Sequence, residues 1–173
     1  MRSVMSRPEL PLRERSFDLV FIVFYAINLL FITYIVDLEQ LVIPNASNFV
    51  YPPWPPRFLV DLVHWYGGTF DPLLIARPVW WKMTIWIDAV LFGPYYAVAI
   101  YAFIRGRNWI RIPCIVTSAM LVTNVVIILG EEVAGPFASP SLLFVVGVNL
   151  PWVVVPILAI ARMSRLRPPF ARH

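Results

Sequence analysis

The chain has 173 residues, of which 60% are hydrophobic and 14% are charged, and its mean hydropathy is +0.73. Soluble domains usually carry about 25% charged residues, so this composition excludes an ordinary soluble protein and indicates a membrane protein. The net charge of +4 does not point to nucleic acid, because the arginines stand in short clusters at the ends of apolar segments.

The N-terminal segment, residues 1–16, lacks the pattern of a signal peptide. The first apolar segment starts at Phe17, is about 20 residues long, and has no small-residue cleavage site behind it. We therefore expect it to be retained as a first membrane span.

Four apolar segments follow along the chain, at 17–36, 81–104, 109–130 and 141–161. A spanning helix needs about 20 mostly apolar residues, so the length accommodates four spans in one domain. Only "RGRN" separates the second segment from the third, which predicts an antiparallel hairpin. The fold class is thus an all-α membrane protein, a four-transmembrane-helix bundle over 17–163 with a tail at 164–173.

Basic residues predict the orientation of the bundle. Eleven of the fourteen lie before the first span, in the second turn or after the fourth span: Arg2, Arg7, Arg13, Arg15, Arg105, Arg107, Arg111, Arg162, Arg165, Arg167 and Arg172. By the positive-inside rule both termini are cytoplasmic, and 37–80 and 131–140 are lumenal.

The long first loop is rich in aromatic and aliphatic residues, which argues against disorder. Within it "FLVDLVHWY" has helical spacing after the prolines of "PPWPP". We expect the loop to pack as a lid on the lumenal mouth of the bundle, with His64 on its surface. "NAS", which begins at Asn45, is a candidate N-glycosylation site.

Polar residues recur at one depth within the apolar segments. Asp88 lies seven residues after Trp81, Asn124 six before Gly130, and Asn149 eight after Ser141. At about 1.5 Å per residue, all three are about 9 to 12 Å below the lumenal end. The first span is expected to end at Asp37, which a modest dip of the lid would bring toward the same layer.

This polar layer has two interpretations. A membrane-embedded carboxyl group is costly and by default marks a site, so Asp37 and Asp88 would share a proton at the head of an apolar cavity. Alternatively, Asp88 bonds Asn124 or Asn149 and only fastens helices together. The expected cavity walls are Trp86, Phe92, Tyr95, Tyr96, Met120, Phe144 and Trp152, and the helix breakers Gly93, Pro94 and Pro151 flank Asp88 and Asn149.

The sequence shows no catalytic triad and no His/Cys cluster with metal-ligand spacing, so we predict no metal and no cofactor. Cys114 is expected to be a small core residue. Glu131 and Glu132 are expected to be solvated at a lumenal helix end.

Three motifs carry a resemblance to a known family: "VDLEQLVIP" at 36–44, "WYGGTFDPLL" at 65–74 and "YAFIRGRNWIRIPCI" at 101–115. On these residues, and over about 17–163, the chain resembles the EXPERA family of four-span proteins, and most of all its receptor branch. In that branch the position of Asp37 pairs with bound cationic amphiphiles and the position of Asp88 braces it, while Asp71 matches a structural aspartate of the lid.

The resemblance also implies a setting. It predicts an endoplasmic reticulum membrane protein with cytoplasmic termini and a lumen-proximal pocket that opens toward lipid. Sterols or oxysterols are the implied natural ligands, with a homodimer as the assembly and a sterol-transport membrane protein as a further partner.

A second branch of the family consists of sterol 8,7-isomerases. Its fourth-span pattern Asn-x-x-Trp, followed by a proline, matches "NLPWVVVP" at Asn149, Trp152 and Pro156. The branch has a histidine where this chain has Thr33 and a catalytic glutamate where it has Ile85.

The leading hypothesis is therefore a non-enzymatic binding protein for sterols and cationic amphiphiles, active in lipid homeostasis. Its expected ligand-binding residues are Thr33, Asp37, Asp88, Tyr95, Asn124, Asn149 and Trp152. A sterol isomerase using Asp37, Asp88, Asn149 and Trp152 is the alternative, and a membrane scaffold or quality-control factor is the third.

Overall fold

A computed structural model describes residues 10–165 and 169–170. Within that part of the chain the regular structure is entirely helical, and four helices are long and apolar enough to cross a membrane: Asp18–Val42, Val79–Arg105, Asn108–Ala134 and Leu142–Met163. We call them spans 1 to 4. The predicted four-span, all-α fold is confirmed. Arg2, Arg7, Arg167, Arg172 and parts of the predicted N-terminal segment and tail lie outside the described residues.

Several of the spans are built from more than one helical segment. Span 1 consists of Asp18–Ile27, a π-helical segment Asn28–Asp37, and Leu38–Val42; span 2 consists of Val79–Ile87, a π-helical segment Asp88–Phe92, and Gly93–Arg105. Span 3 begins with the 3₁₀ turn Asn108–Ile110 and continues as Arg111–Ala134, and span 4 joins Leu142–Asn149 to Pro151–Met163. A 3₁₀ turn, Leu12–Glu14, precedes span 1.

Two predicted boundaries were wrong. Span 1 does not end at Asp37 but continues to Val42, because no helix breaker occurs before Pro44. Span 3 runs on through Ala134 rather than ending near 130. Asp37 therefore lies inside a span, and Glu132 lies in the last turn of a helix.

The predicted hairpin between spans 2 and 3 depends on one glycine. Gly106 ends span 2 with φ of 68°, in the left-handed region that a residue without a Cβ adopts readily. The Arg107 N–H then donates to the carbonyl of Ala102 at 2.8 Å and closes the turn.

One end of the bundle is packed solid. A cluster of aromatic and small side chains fills the half that carries the chain termini and the 106–107 turn, which we call the arginine-rich end; its fully buried members include Phe21, Tyr96, Ala99, Ala102, Phe103, Cys114 and Phe170. The alanines let neighbouring helices approach closely. Buried Asp18 is bound by Arg15 at 2.6 Å and Arg162 at 3.1 Å.

The opposite end, which we call the lid end, carries the segment 43–78. This lid contains the helices Arg57–Thr69 and Leu73–Ala76. A second hydrophobic core of the molecule joins lid residues Val63, Leu73 and Leu74 to Trp81 and Ile85 of span 2.

A buried ion pair fastens the lid to span 1. Both carboxylate oxygens of Glu39, which is fully buried, accept from the Arg77 guanidinium at 2.8 and 2.9 Å. Arg77 also donates to the carbonyls of Leu74 and Ile43, and it holds a left-handed φ of 48°. His64, which is partly exposed in the lid, contacts Glu39 at 2.8 Å, so its ring is tied to the ion pair rather than free in solvent.

Replacing Arg77 should unfasten the lid. Arg77→Met leaves the Glu39 charge buried without its partner, which typically costs about 3–5 kcal/mol, so the midpoint of thermal unfolding in detergent should fall markedly. Arg57→Met, at an exposed arginine of the lid helix, is the matched control. Equal midpoints for the two variants would show that the ion pair contributes nothing.

Candidate ligand-binding cavity

A cavity lies at the lid end, among all four spans and the lid. Its volume is about 340 Å³, within the range of small-molecule sites. The lining is mostly apolar and aromatic, and it comes from span 1 (Phe31, Ile32, Val36, Asp37, Gln40), the lid (Leu62, Val63, Trp65, Tyr66, Asp71, Leu74), span 2 (Trp81, Thr84, Ile85, Asp88, Phe92), span 3 (Leu121, Asn124, Val125, Ile128) and span 4 (Val148, Asn149, Trp152).

The exposed part of this lining marks a mouth on the side of the bundle. Phe31 of span 1, Leu62 and Trp65 of the lid helix and Val148 of span 4 are each more than a third exposed. These side chains are apolar, so the mouth suits entry from hydrocarbon rather than from water.

Two carboxyl groups form the main polar feature of the cavity. Asp37, the last residue of the π-helical segment of span 1, and Asp88, the first residue of the π-helical segment of span 2, both line it. Their side chains lie within hydrogen-bonding range of each other. A hydrogen bond between two carboxyl groups requires a proton on at least one of them, so the two groups can share a proton.

Further donors surround Asp88 on the side away from the cavity. The Thr33 hydroxyl donates to one carboxylate oxygen, and the Tyr96 hydroxyl donates to the other at 3.3 Å. Both donors are fully buried, and neither is part of the lining. The alternative in which Asp88 bonds Asn124 or Asn149 was therefore wrong, and Thr33 reaches Asp88 instead of facing the cavity.

Asn124, Asn149 and Trp152 do join the two aspartates in one lining. The Asn149 amide donates to the Val145 carbonyl of its own helix at 2.9 Å. The Trp152 indole N–H donates to Asn28 of span 1 at 2.7 Å, so the ring forms a wall of the cavity while its polar edge is already bonded. Contact between these residues and a ligand stays a prediction.

Several expected wall residues lie elsewhere. Tyr95 lines a separate, much smaller cavity and donates to Tyr25. Tyr96 lies behind Asp88, and the lining of the main cavity also omits Trp86, Met120 and Phe144. Phe92 and Trp152 are the expected aromatic walls that line it.

A second carboxyl pair lies where the lid meets span 3. Asp71 and Glu132 are both buried, and their carboxyl groups lie within hydrogen-bonding range of each other. The backbone N–H groups of Leu73 and Leu74 donate to Asp71. Among the described residues no donor reaches Oδ1 of Asp71 or either carboxyl oxygen of Glu132. The expectation that Glu132 is solvated was therefore wrong.

Burial dominates the acid–base chemistry of this second pair on the lid side. It raises the pKa of the Asp71 carboxyl above its ordinary value. Burial also raises the pKa of the Tyr66 hydroxyl to about 12, and the charges of Asp71 and Glu132 add to that shift. Tyr66 therefore faces the cavity as a neutral phenol near neutral pH.

The periodicity of span 3 contained a signal for the inward position of Glu132. Leu121, Val125, Ile128 and Glu132 follow one another at intervals of four, three and four, which places them on one helix face. Leu121, Val125 and Ile128 line the cavity, so the spacing indicates that Glu132 also points inward.

Two remaining predictions concern surface and metal chemistry. Asn45 is exposed, and its side-chain oxygen accepts from the Ser47 N–H at 2.9 Å, so the acceptor asparagine lies in an accessible turn; its glycosylation stays a prediction. Across 10–165 and 169–170, no group of three or more potential ligating side chains is arranged to hold a metal ion.

The family model described as EXPERA (EXPanded EBP superfamily) matches residues 58–163, which is more than half of the chain. The chain belongs to the EXPERA family. The matched region holds the lid helix, spans 2 to 4 and Asp88, whereas Asp37 and the rest of span 1 precede it.

Individual EXPERA relatives extend the match into span 1. Sigma intracellular receptor 2 of Xenopus tropicalis is 36% identical over 151 residues, covering 81% of this chain and 84% of the relative. The Homo sapiens and Macaca fascicularis proteins of the same name are each 30% identical over 156 residues, covering 82% of this chain and 83% of the relative. This chain is thus a multi-pass EXPERA membrane protein that is similar to sigma intracellular receptor 2.

Asp71 should make the stability of the lid depend on pH. Because the pKa of the folded carboxyl is raised, its stabilising contribution is full below the unfolded value of about 3.9 and is lost as the pH rises through the folded value. Asp71→Asn removes this titration and keeps an acceptor for Leu73 and Leu74.

The measurement is the midpoint of thermal unfolding between about pH 4 and about pH 8. The midpoint of the wild type should fall more steeply with rising pH than that of Asp71→Asn. Asp61→Asn, at an exposed aspartate of the lid helix, should follow the wild type. Parallel curves for all three proteins would refute the role of Asp71.

Proposed function

We propose that this protein is an intramembrane receptor that binds protonated amphiphilic amines, and sterols or oxysterols, in the cavity at the lid end. The observation that carries the proposal is the carboxyl pair Asp37–Asp88 in the wall of an apolar cavity of about 340 Å³ within a membrane-spanning bundle. Fastening helices together does not require a cavity, which is why the scaffold hypothesis explains less.

A single positive charge suits the carboxyl pair. Because the two groups share one proton, the pair presents one negative charge in a region of low dielectric, where opposite charges attract strongly. Aromatic rings in the lining, among them Phe31, Trp65 and Trp81, offer apolar surface to the body of the ligand and favourable faces to a nearby cation.

A sterol would use the same cavity through different chemistry. Its hydroxyl would donate to Asp37, and its rings would lie against the apolar walls. The mouth between span 1, the lid helix and span 4 leads from the membrane region into the cavity. A lipid ligand would then enter sideways from the bilayer, consistent with a role in sterol and lipid homeostasis.

The cellular setting is proposed on the family likeness and on the placement of arginines. Seven of the eleven clustered arginines lie in the described residues, at the end opposite the lid. We expect this end to be cytoplasmic in the endoplasmic reticulum membrane, with the lid in the lumen. We also expect a homodimer, and a sterol-transport membrane protein as a further partner.

Replacing the Asp37 carboxyl group by an amide should weaken amine binding. In Asp37→Asn the ligand cation loses its direct carboxylate contact, and truncating one member of a buried charge pair costs about 2 kcal/mol or more, which is about thirtyfold in Kd. Titration of the purified protein in lipid nanodiscs with N,N-dimethyldodecylamine, a protonated amine at neutral pH, measures the change.

Asp61→Asn is the matched control, because it makes the same substitution at an exposed position outside the lining. It should bind the amine as the wild type does. Unchanged affinity in folded Asp37→Asn would rule out Asp37 as the ligand-binding acid.

A sterol isomerase is the second candidate function. The observation in its favour is that two carboxyl groups within hydrogen-bonding range of each other line an apolar cavity, since double-bond migration needs a group that gives a proton and a group that takes one. Thr33 and Ile85 occupy the positions where the isomerase branch has its histidine and glutamate. Of these two, Ile85 lines the cavity and Thr33 does not.

Expression in yeast lacking its sterol 8,7-isomerase separates the two functions. For a receptor we expect the 8,9-unsaturated sterol to accumulate in spite of good expression, as in cells with an empty vector. Appearance of the 7,8-unsaturated product, and its loss in Asp88→Ala, would establish the enzyme instead.

A further inference from the structure

We infer that Thr33 and Tyr96 are positioning residues of the ligand site: they occupy the oxygens of Asp88 and leave Asp37 as the carboxyl group that meets the ligand. This inference deepens the proposed function and rests on it. It concerns two residues that lie outside the cavity lining and act through Asp88.

Thr33 is held against Asp88 by close packing between spans 1 and 2. It is fully buried, and its hydroxyl donates to Oδ2 of Asp88 across the two helices. Gly93 makes this approach possible, since a Cβ there would lie 2.9 Å from both the Thr33 methyl carbon and the Tyr34 hydroxyl. Such a separation is too short for carbon atoms, so the missing side chain of Gly93 sets the spacing of the two spans at this level.

Tyr96 supplies the second donor from within span 2. Its ring is fully buried and stacks on Tyr25, with ring centroids 5.8 Å apart. From this position its hydroxyl donates to Oδ1 of Asp88 at 3.3 Å. Tyr96 thus connects the aromatic core of the arginine-rich end to one carboxylate oxygen of Asp88.

The two members of the carboxyl pair are consequently not equivalent. Asp88 accepts from Thr33 and Tyr96 and also bonds Asp37, which occupies most of the roughly four lone-pair directions of a carboxylate. Asp37 has Asp88 as its hydrogen-bonding partner among the described residues. Its remaining lone pairs are therefore available to an amine or a hydroxyl in the cavity.

The donors also stabilise the negative charge of the pair. Hydrogen bonds to the ionised form of a carboxyl group favour that form, so loss of the Thr33 hydroxyl should let the pair take up a second proton more readily. The other ionisable side chains that face the cavity come from the lid, since spans 3 and 4 contribute uncharged amides: Tyr66 and Asp71, against Asn124 and Asn149.

The test compares Thr33→Val, which removes the hydroxyl and keeps the shape, with Thr33→Ser, which keeps the hydroxyl. Binding of N,N-dimethyldodecylamine in phosphatidylcholine nanodiscs is measured between about pH 5.5 and about pH 8.5, with empty nanodiscs as background. 1-Dodecanol, which has the same chain and no charge, is the matched probe.

We expect Thr33→Val to bind the amine about tenfold more weakly than the wild type at the acidic end, because a hydrogen bond to a charged group is lost. The deficit should narrow as the pH rises and the pair regains its charge, while dodecanol binding changes less. Thr33→Ser should restore the wild-type profile, and Tyr96→Phe should weaken amine binding in the same direction, which provides a second variant if Thr33→Val fails to fold.

Wild-type affinity and pH profile in folded Thr33→Val, or an equal loss in Thr33→Ser, would overturn the positioning role while leaving the receptor function intact. In contrast, failure of the wild type to bind the amine above empty nanodiscs would overturn the receptor function and this inference together. Full binding by folded Asp37→Asn would overturn this inference, because Asp37 would not be the carboxyl group that meets the ligand.

Discussion

A carboxyl group inside a membrane-spanning bundle must find donors, and that constraint organises this molecule. Asp88 meets it with Thr33, Tyr96 and the shared proton of Asp37, which draws spans 1 and 2 together at one level. The close approach requires Gly93, and it coincides with π-helical winding on both spans. The carboxyl pair in the cavity wall therefore follows from how two helices satisfy one acid within the bundle.

The two ends of the bundle are built differently. The arginine-rich end is filled with aromatic rings and alanines and closed by the network around Asp18, so it provides a rigid base. The lid end encloses a cavity instead, and its integrity depends on polar anchors, chiefly Glu39 with Arg77 and Gln40 with Trp81. Asp37 and Asp88 lie between these two ends, with the packed core on one side and the lid on the other.

Periodicity and composition were enough to predict the four spans, the structured loop and the grouping of Asp37, Asp88, Asn124 and Asn149, because apolar length and residue count set helix number and depth. They failed where tertiary contacts decide. The Arg77–Glu39 pair joins positions far apart in the chain, so no local sequence pattern predicts it. Tyr95 and Tyr96 are neighbours in the sequence, and both were expected to line the cavity. The structure shows that neither side chain does so. For Glu132 the sequence did contain a signal, because its spacing from the apolar residues of span 3 places it on the helix face that points inward.

The hydrogen-bonding state of the cavity wall has a consequence for selectivity among membrane lipids. The indole N–H groups of Trp81 and Trp152 are both bonded within the protein, to Gln40 and Asn28, so the rings present only their carbon faces. Asp37 adds carboxyl oxygens that can still accept a hydrogen bond, since those of Asp88 are bonded to Thr33 and Tyr96. A fatty acid or another single-chain anion would bring more oxygens to a wall that carries the two carboxyl groups, whereas an amine or an alcohol would bring a donor to the remaining lone pairs of Asp37. On the proposed function, we therefore expect the cavity to discriminate against anionic lipids.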